Sequence, residues 1–392
     1  FFQRAMGQAV SRTCTGLTGK MNGEKKSKLE DKPLTALLKI SEKACFIMAD
    51  FVQAVYKKLN DDRKMMKKKA DNSFFTIADA LVQHMVLTLF PDSKFLEFCG
   101  EESAKGIEVS QRPYSVDSMP LPDDIADHFE TAYTKIKELA RQVDKMAYQD
   151  IALFVDPIDG TREFCTGLGQ QCSICIGFVR DKVPVAGIVF RPIPVEGHKH
   201  TWVAGCKTEG YCNGRLDKVK EDGSLPKTIL TSNGSISKFT EKLLDELKWD
   251  RYRAGGCGNK MMLLLEGKGT MYIQDRGVSR WDTCAAQAAI EAYGGVLCKL
   301  TSVEKDKTYT SYQYKVGDSQ LDFNASAMLT KYNVKDKALL KQEKLPAITT
   351  DNVNPYSNIC GLFAANTPDQ KLLNSVMDAV QKVAKDVKPQ YS

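Results

Sequence analysis

The apolar run Ile151-Ala152-Leu153-Phe154-Val155 leads directly into Asp156-Pro157-Ile158-Asp159-Gly160-Thr161. An apolar run bounded by a proline and a turn glycine predicts a buried strand, and this one ends in two carboxylates. A strand with that ending can hold divalent cations, and the Gly-Thr step after it can turn backbone N–H groups and a hydroxyl toward an anion. Alone the stretch is an acidic turn. Its chemistry depends on whether other acids of the chain converge on it.

The chain has 392 residues, 43% hydrophobic and 27% charged, enough to bury a full core in two domains or one large α/β unit. The net charge of +6 is spread out. The densest basic cluster, Lys64 to Lys69, has no long basic helix or basic-aromatic repeat beside it, so nucleic acid is not an expected partner. The 12 cysteines lack the dense spacing of a disulfide scaffold and point to a reducing, cytoplasmic setting. Cys172 and Cys175 form a C-x-x-C inside a segment of strand composition, with no second pair at zinc spacing. No apolar stretch reaches membrane-spanning length. The sequence starts at Phe1 rather than Met, which leaves open a targeting segment ahead of it.

Residues 1–33 are small, polar and lysine-rich and read as a tail. From Leu34 to Leu59, Ile40, Ala44, Ile47, Phe51 and Val55 recur at spacings of three and four and predict an amphipathic helix. A second is predicted over Ile77 to Phe90, ended by Pro91. Residues 104–149, with Pro113, Pro120 and Pro122 before a helical Ile125 to Met146, read as a surface insertion or lid. Strands are predicted at 151–156, 172–180, 183–191 and 201–206, the middle two joined as a hairpin by Asp181-Lys182. Helices at Phe239–Leu247, Asn259–Glu266 and Thr283–Tyr293 then alternate with strands at Met271–Gln274 and Val296–Leu300. Such alternation predicts a layered α/β protein. The expected division is a 1–33 tail, an N-terminal half over 34–190, a C-terminal half over 191–345, and an extension over 346–392.

Four other places supply acids or anion-facing backbone. Gly100-Glu101-Glu102 follows an apolar segment, and Thr76-Ile77-Ala78-Asp79 opens the second helix. Trp281-Asp282-Thr283 precedes the small-residue helix Cys284 to Ala289, and Gly255-Gly256-Cys257-Gly258-Asn259-Lys260 is a glycine-rich loop entering a helix. Each fragment alone is more often a cap, a solvated turn or a packing device. Together, in the order TIAD, GEES, DPIDGT, GGCGNK, WDT, they resemble the lithium-sensitive, magnesium-dependent phosphomonoesterases: inositol monophosphatases, inositol polyphosphate 1-phosphatases and 3′(2′),5′-bisphosphate nucleotidases. The resemblance covers roughly residues 34–340 and implies a layered αβαβα sugar-phosphatase fold, with an N-terminal α+β half and a C-terminal α/β half.

Residue by residue, the resemblance implies metal ligands at Glu101, Asp156, the carbonyl of Ile158, Asp159 and Asp282, holding two or three magnesium ions, with inhibition by lithium. Glu101 and Asp156 would hold the ion carrying the attacking water. Asp159 and Asp282 would hold the ion at the leaving oxygen, with Asp156 bridging both. Asp79 and Thr161 match the pair that orients or deprotonates the water, and the Gly160 and Thr161 amides would face the phosphate. Asp71 lies eight residues before Asp79 as in nucleotidases, although Phe74-Phe75 stands where Pro-Val is usual. This metal set suits the chemistry, because a phosphate ester is anionic and repels hydroxide, whereas magnesium prefers oxygen ligands and stabilises charge on attacking and leaving oxygens. Other phosphatase signatures fit worse. The chain has no C-x5-R, carries D-x-x-D rather than D-x-D, and has only four histidines.

The substrate is less constrained. Gly256 and Lys260, in a loop that continues to Glu266-Gly267, match the GGxGNK…EGK nucleotide contacts of bisphosphate nucleotidases, and Gly160 stands where inositol polyphosphate 1-phosphatases often have serine. Ser232 and Ser235 match positions that bind a second phosphate, but Ser235 replaces a histidine. The expected partner is therefore a small phosphate ester. The first candidate is 3′-phosphoadenosine 5′-phosphate, then inositol 1,4-bisphosphate, then inositol monophosphate. An inactive scaffold that binds such a ligand is the alternative from another class. A monomer or homodimer is expected, with no membrane partner.

Overall fold

The predicted short strand at Ile151 is the inner part of a 12-residue strand, Tyr148–Asp159, buried continuously from Ile151 onward. The computed structural model describes residues 32–61, 66–68, 74–102, 106–143, 148–217, 225–275, 278–314, 358, 360–367 and 369–390. Contacts divide the chain into residues 1–33 and Leu34–Ser392, and the architecture below is that of the second unit. Most of the expected tail, Asp71, and Lys64, Met65 and Lys69 of the basic cluster lie outside the described residues.

The large sheet contains β1 (Phe95–Gly100), β2 (Tyr148–Asp159), β3 (Ser173–Arg180), β4 (Val183–Phe190), β5 (Trp202–Cys206) and β6 (Tyr211–Arg215), in the spatial order β6-β5-β4-β3-β2-β1. Only β1 and β2 run parallel; the other neighbours are antiparallel. Asp181 and Lys182 both take positive φ, which gives the two-residue turn of the β3–β4 hairpin. One face of this sheet is covered by α1 (Pro33–Asp61), α2 (Ile77–Leu89) and α3 (Asp123–Val143), whose apolar sides share one core with Leu153, Val155, Ile176 and Ile188.

Behind the sheet's other face lie α6 (Cys257–Leu265) and α7 (Arg280–Ala292), which follow the short α4 (Thr161–Cys165) and α5 (Lys238–Leu247). The small residues of α7 let its backbone sit against glycines of the sheet. A Cβ on Gly177 would fall 2.5 Å from Cys284 Sγ and 2.7 Å from the Ala285 nitrogen. A larger residue there would push the helix, and the acid in its first turn, off the sheet.

Beyond α6 and α7 lies a second sheet of β7 (Thr228–Thr231), β8 (Asp250–Arg253), β9 (Met271–Gln274), β10 (Val296–Lys299) and β11 (Leu362–Ala365), ordered β8-β7-β9-β11-β10. An outer core joins it to α5, α8 (Leu300–Asp306) and α9 (Gln370–Asp386). The layers therefore run helix, sheet, helix, sheet, helix, the αβαβα order that the resemblance implied.

Two sequence readings differ from the structure. The extension over 346–392 is not an appendage where it is described. β11 is an inner strand between β9 and β10, and α9 buries Val376, Met377 and Val380 in the outer core. A lone buried four-residue strand and a distant amphipathic helix carry no local sign of which sheet they complete. The insertion over 104–149 is also not wholly superficial, since α3 buries Phe129, Ile136 and Val143 in the same core as α1 and α2. Among the described residues no helix is long and apolar enough to cross a membrane, and Cys172 and Cys175 are buried free thiols.

Candidate active site

The end of β2 is irregular where its carboxylates lie. Asp156 pairs with Cys175 and Asp159 with Ser173, so the pairing register shifts by one residue between them. Pro157 cannot donate a ladder hydrogen bond, which suits it to such a bulge. Asp156 and Asp159 are both almost fully buried. Gly160 follows with φ 91°, a left-handed turn that disfavours side chains, and places Thr161 at the start of α4.

Asp159 is held by three donors. Its Oδ1 accepts the Cys257 amide at 2.7 Å, and its Oδ2 accepts the Gly258 amide at 2.7 Å and the Ser173 hydroxyl at 2.8 Å. The glycine-rich loop thus aims the first N–H groups of α6, unpaired within the helix, at this carboxylate. Each carboxylate oxygen has two lone pairs, so Oδ1 keeps one free for a cation. Gly256 makes the approach possible: its φ is 62°, and a Cβ there would lie 2.7 Å from Gln171 O and 2.9 Å from Asp159 Oδ2. Lys260 is buried, and its Nζ donates to Gly256 O at 2.6 Å, so it braces the loop as well as lining the cavity.

Asp282, in the first turn of α7, accepts the Ser279 amide through Oδ2 at 2.7 Å. One ligand oxygen from each of Asp156, Asp159 and Asp282 falls within 4.8 Å of the others. Burial, with the charges of Glu101, Asp282 and Asp159 behind it, pushes the Asp156 carboxyl well above the usual carboxylate range. Burial raises Asp159 and Asp282 as well. Asp156 Oδ1 is buried and has no hydrogen-bond partner. A buried, unpartnered anionic oxygen among like charges is costly, and a hard divalent cation is the group that removes the cost. An all-carboxylate oxygen set fits magnesium, calcium or manganese. The nearby Cys175 and Cys257 thiols are held protonated by burial, which disfavours a soft metal.

The other sequence-nominated residues fall around this group. Glu101 follows β1, its amide bonded to Val155 O at 3.1 Å. Its charge acts on Asp156 and Asp282, but it lies outside the tight triad. Asp79 closes the capping box of α2 through Oδ2, which accepts the Thr76 amide at 2.8 Å. Its Oδ1 is 3.1 Å from the Thr161 hydroxyl, which also lies 3.0 Å from the Ile158 carbonyl. The one hydroxyl proton is claimed by one of these acceptors, so the Thr161 lone pairs are left to accept from a water.

A cavity of about 330 Å³ opens beside the triad, lined by Asp159, Gly160, Asp282, Gly256 and Lys260 together with Ser232 to Ser235. Several contributors went unnoticed in the sequence. Arg251 donates to Ser232 O at 2.9 Å and Gly234 O at 2.6 Å and so fixes the 232–235 loop. Asn233 Nδ2 bonds to Glu163 Oε1 at 2.9 Å and Gln171 Oε1 at 2.7 Å, and Gln171 in turn takes the Gly255 amide at 2.6 Å. These four come from a strand, a helix, a 3-10 turn and a loop well apart in the sequence, and carry no shared local pattern. Ser173 was within reach, because pairing the hairpin strands back to β2 places it opposite Asp159.

The sequence profile of the inositol monophosphatase family matches residues 33–329. The chain belongs to the inositol monophosphatase family. With that family it is a phosphoric monoester hydrolase. It is 28% identical to the 3′(2′),5′-bisphosphate nucleotidase 1 of Rattus norvegicus over 254 residues, 62% of this chain and 75% of that protein. It is likewise 28% identical to the Dictyostelium discoideum protein of that name over 248 residues, 59% of this chain and 75% of that one. An IMPase of Thermotoga maritima superposes with a TM-score of 0.52 at 15% identity, covering 90% of this chain and 99% of that one, which is a likeness of fold. The acidic triad lies within the family match, on the strand end and helix start where the family-like motifs stand.

Proposed function

We propose that this member of the family removes a phosphate from a small bisphosphate with the help of magnesium, and that 3′-phosphoadenosine 5′-phosphate is the substrate, losing its 3′-phosphate. The observation that carries the reading is the convergence of Asp156, Asp159 and Asp282 beside a polar cavity that Asp159 and Asp282 line, with Asp156 Oδ1 buried and unpartnered. These three, with Glu101 and the Ile158 carbonyl beside them, would hold the magnesium. Bound there, magnesium supplies positive charge against the phosphate and the developing charge of attacking and leaving oxygens. Lithium is expected to inhibit by competing for that site.

The chain's own groups do the rest. Thr161, its proton taken up by Asp79 Oδ1 or the Ile158 carbonyl, accepts a hydrogen bond from the attacking water and orients it, and Asp79 is the acceptor for the water's proton. The N–H groups of Gly160 and Thr161, at the start of α4, face the phosphate. Asp159, locked by three donors, cannot swing when the substrate enters. The preference for a nucleotide is supported by the GGCGNK loop and the bisphosphate nucleotidase relatives. Ser235 in the place of a histidine favours inositol 1,4-bisphosphate as the second reading. Side-by-side kcat/KM values decide between them. The adenosine bisphosphate should be preferred at least ~10-fold, and preference for the inositol bisphosphate would replace the nucleotide reading.

A further inference from the structure

A second phosphate on the substrate adds charge that the magnesium site, occupied with the first, does not balance. The cavity must present a cation to it, or its extra desolvation goes uncompensated. Among the described residues lining the cavity, the cations are Lys260 and Arg162. Lys260 is buried, its Nζ turned to the carbonyls of Gly256 at 2.6 Å and Ala254 at 3.4 Å, and it stands 5.0 Å from the Tyr272 ring centre. Its charge also acts on Asp159, on the metal side of the cavity.

Arg162 differs on each count. It directly follows Thr161 in the first turn of α4, it is exposed, and its guanidinium makes no hydrogen bond or ion pair among the described residues. The neighbouring acid does not hold it, because Glu163 is turned inward to Asn233. Its Nη1 reaches to 3.5 Å from where a Cβ on Gly234 would stand, so it faces the Ser232 to Ser235 loop across the cavity. The Ser232 and Gly234 carbonyls are already taken by Arg251 and so oppose an incoming anion less. The guanidinium's planar fork has its donors available on the substrate side of the residue that orients the water.

We propose that Arg162 is the specificity-determining residue that reads a second anionic group on the substrate, binding it bidentately against the 232–235 loop. The proposal rests on the bisphosphate reading and makes that reading selective, since a monophosphate leaves Arg162 without a partner in the complex.

The test is kcat/KM of wild type, Arg162→Gln and Arg162→Lys on 3′-phosphoadenosine 5′-phosphate and on adenosine 3′-monophosphate, with far-UV circular dichroism and Tm as the check on folding. The ratio of bisphosphate to monophosphate kcat/KM should fall ~10- to 100-fold in Arg162→Gln, mainly through KM on the bisphosphate, the range for a charged hydrogen bond to phosphate. Arg162→Lys should recover part of it, keeping the charge and losing the fork. An unchanged ratio overturns the proposal, whatever happens to the separate rates. If wild type prefers inositol 1,4-bisphosphate, the nucleotide reading has failed. The same ratio is then taken between that substrate and inositol 1-monophosphate, and Arg162 stands or falls on it. A wild type that turns over monophosphates as well as it does bisphosphates overturns the proposal outright.

Discussion

The amide of Cys257 donates to Asp159 Oδ1 at 2.7 Å, tying the start of one helix to the end of a strand 98 residues earlier in the chain. With the Gly258 amide on the other oxygen, two orphan donors of α6 are satisfied by a carboxylate rather than by water. Asp159→Asn should therefore do two things. It removes a negative charge from the metal site, and it turns an NH2 toward N–H donors that then lack an acceptor. The expected loss of stability is about 1–3 kcal/mol, read as a lower denaturation midpoint, together with loss of magnesium-dependent phosphate release.

Asp156→Asn should behave in the opposite sense on stability. Its Oδ1 is buried without a hydrogen bond, among other acids, so the metal-free fold is stabilised when that charge is removed. A melt in chelator should place Asp156→Asn above wild type, although phosphate release falls by at least ~100-fold. A variant that melts lower than wild type in chelator would mean that the Asp156 carboxyl stabilises the metal-free fold, against this reading.

Metal removal should also set the pH dependence of stability. Burial raises Asp156, Asp159 and Asp282 above their unfolded values in the cation-free fold, and neighbouring acids add to the rise at Asp156 and Asp282. The folded state then holds more protons than the unfolded chain from the ordinary carboxylate range upward, so its stability falls as pH rises through that window. In chelator the Tm should be higher at pH 5 than at pH 8. Magnesium should close most of the gap at pH 8, since it binds the ionised folded form. A Tm in chelator that rises over this interval contradicts the assignment.

Gly256→Ala tests the loop geometry. A methyl there meets Gln171 O and Asp159 Oδ2, at a φ that disfavours side chains. Magnesium affinity by calorimetry should weaken, because Asp159 must give way. Unchanged affinity would show that the loop does not set the position of Asp159.

Much of this was legible in the sequence. The apolar run ending in DPIDGT placed the triad's first two members, and the periodicity from Leu34 and Ile77 placed the helices behind them. Both are local signals, carried by residues within one element. The role of 346–392 was not legible, because an inner strand is defined by its neighbours and not by its own four residues. Glu163, Gln171, Asn233 and Arg251 escaped for the same reason. Each earns its place through a hydrogen bond to a residue at least 19 positions away. Lys260 was recognised, but its turn toward Gly256 O is a property of the folded loop.

The most direct test of the central claim is phosphate release from 3′-phosphoadenosine 5′-phosphate as magnesium is titrated into chelator-treated protein. Release should be absent in chelator, appear with millimolar magnesium, and yield adenosine 5′-monophosphate and one phosphate. It should not return in Asp156→Asn at any magnesium concentration. Release in chelator at the magnesium-loaded rate, or full activity in that variant, would contradict a site built on Asp156, Asp159 and Asp282.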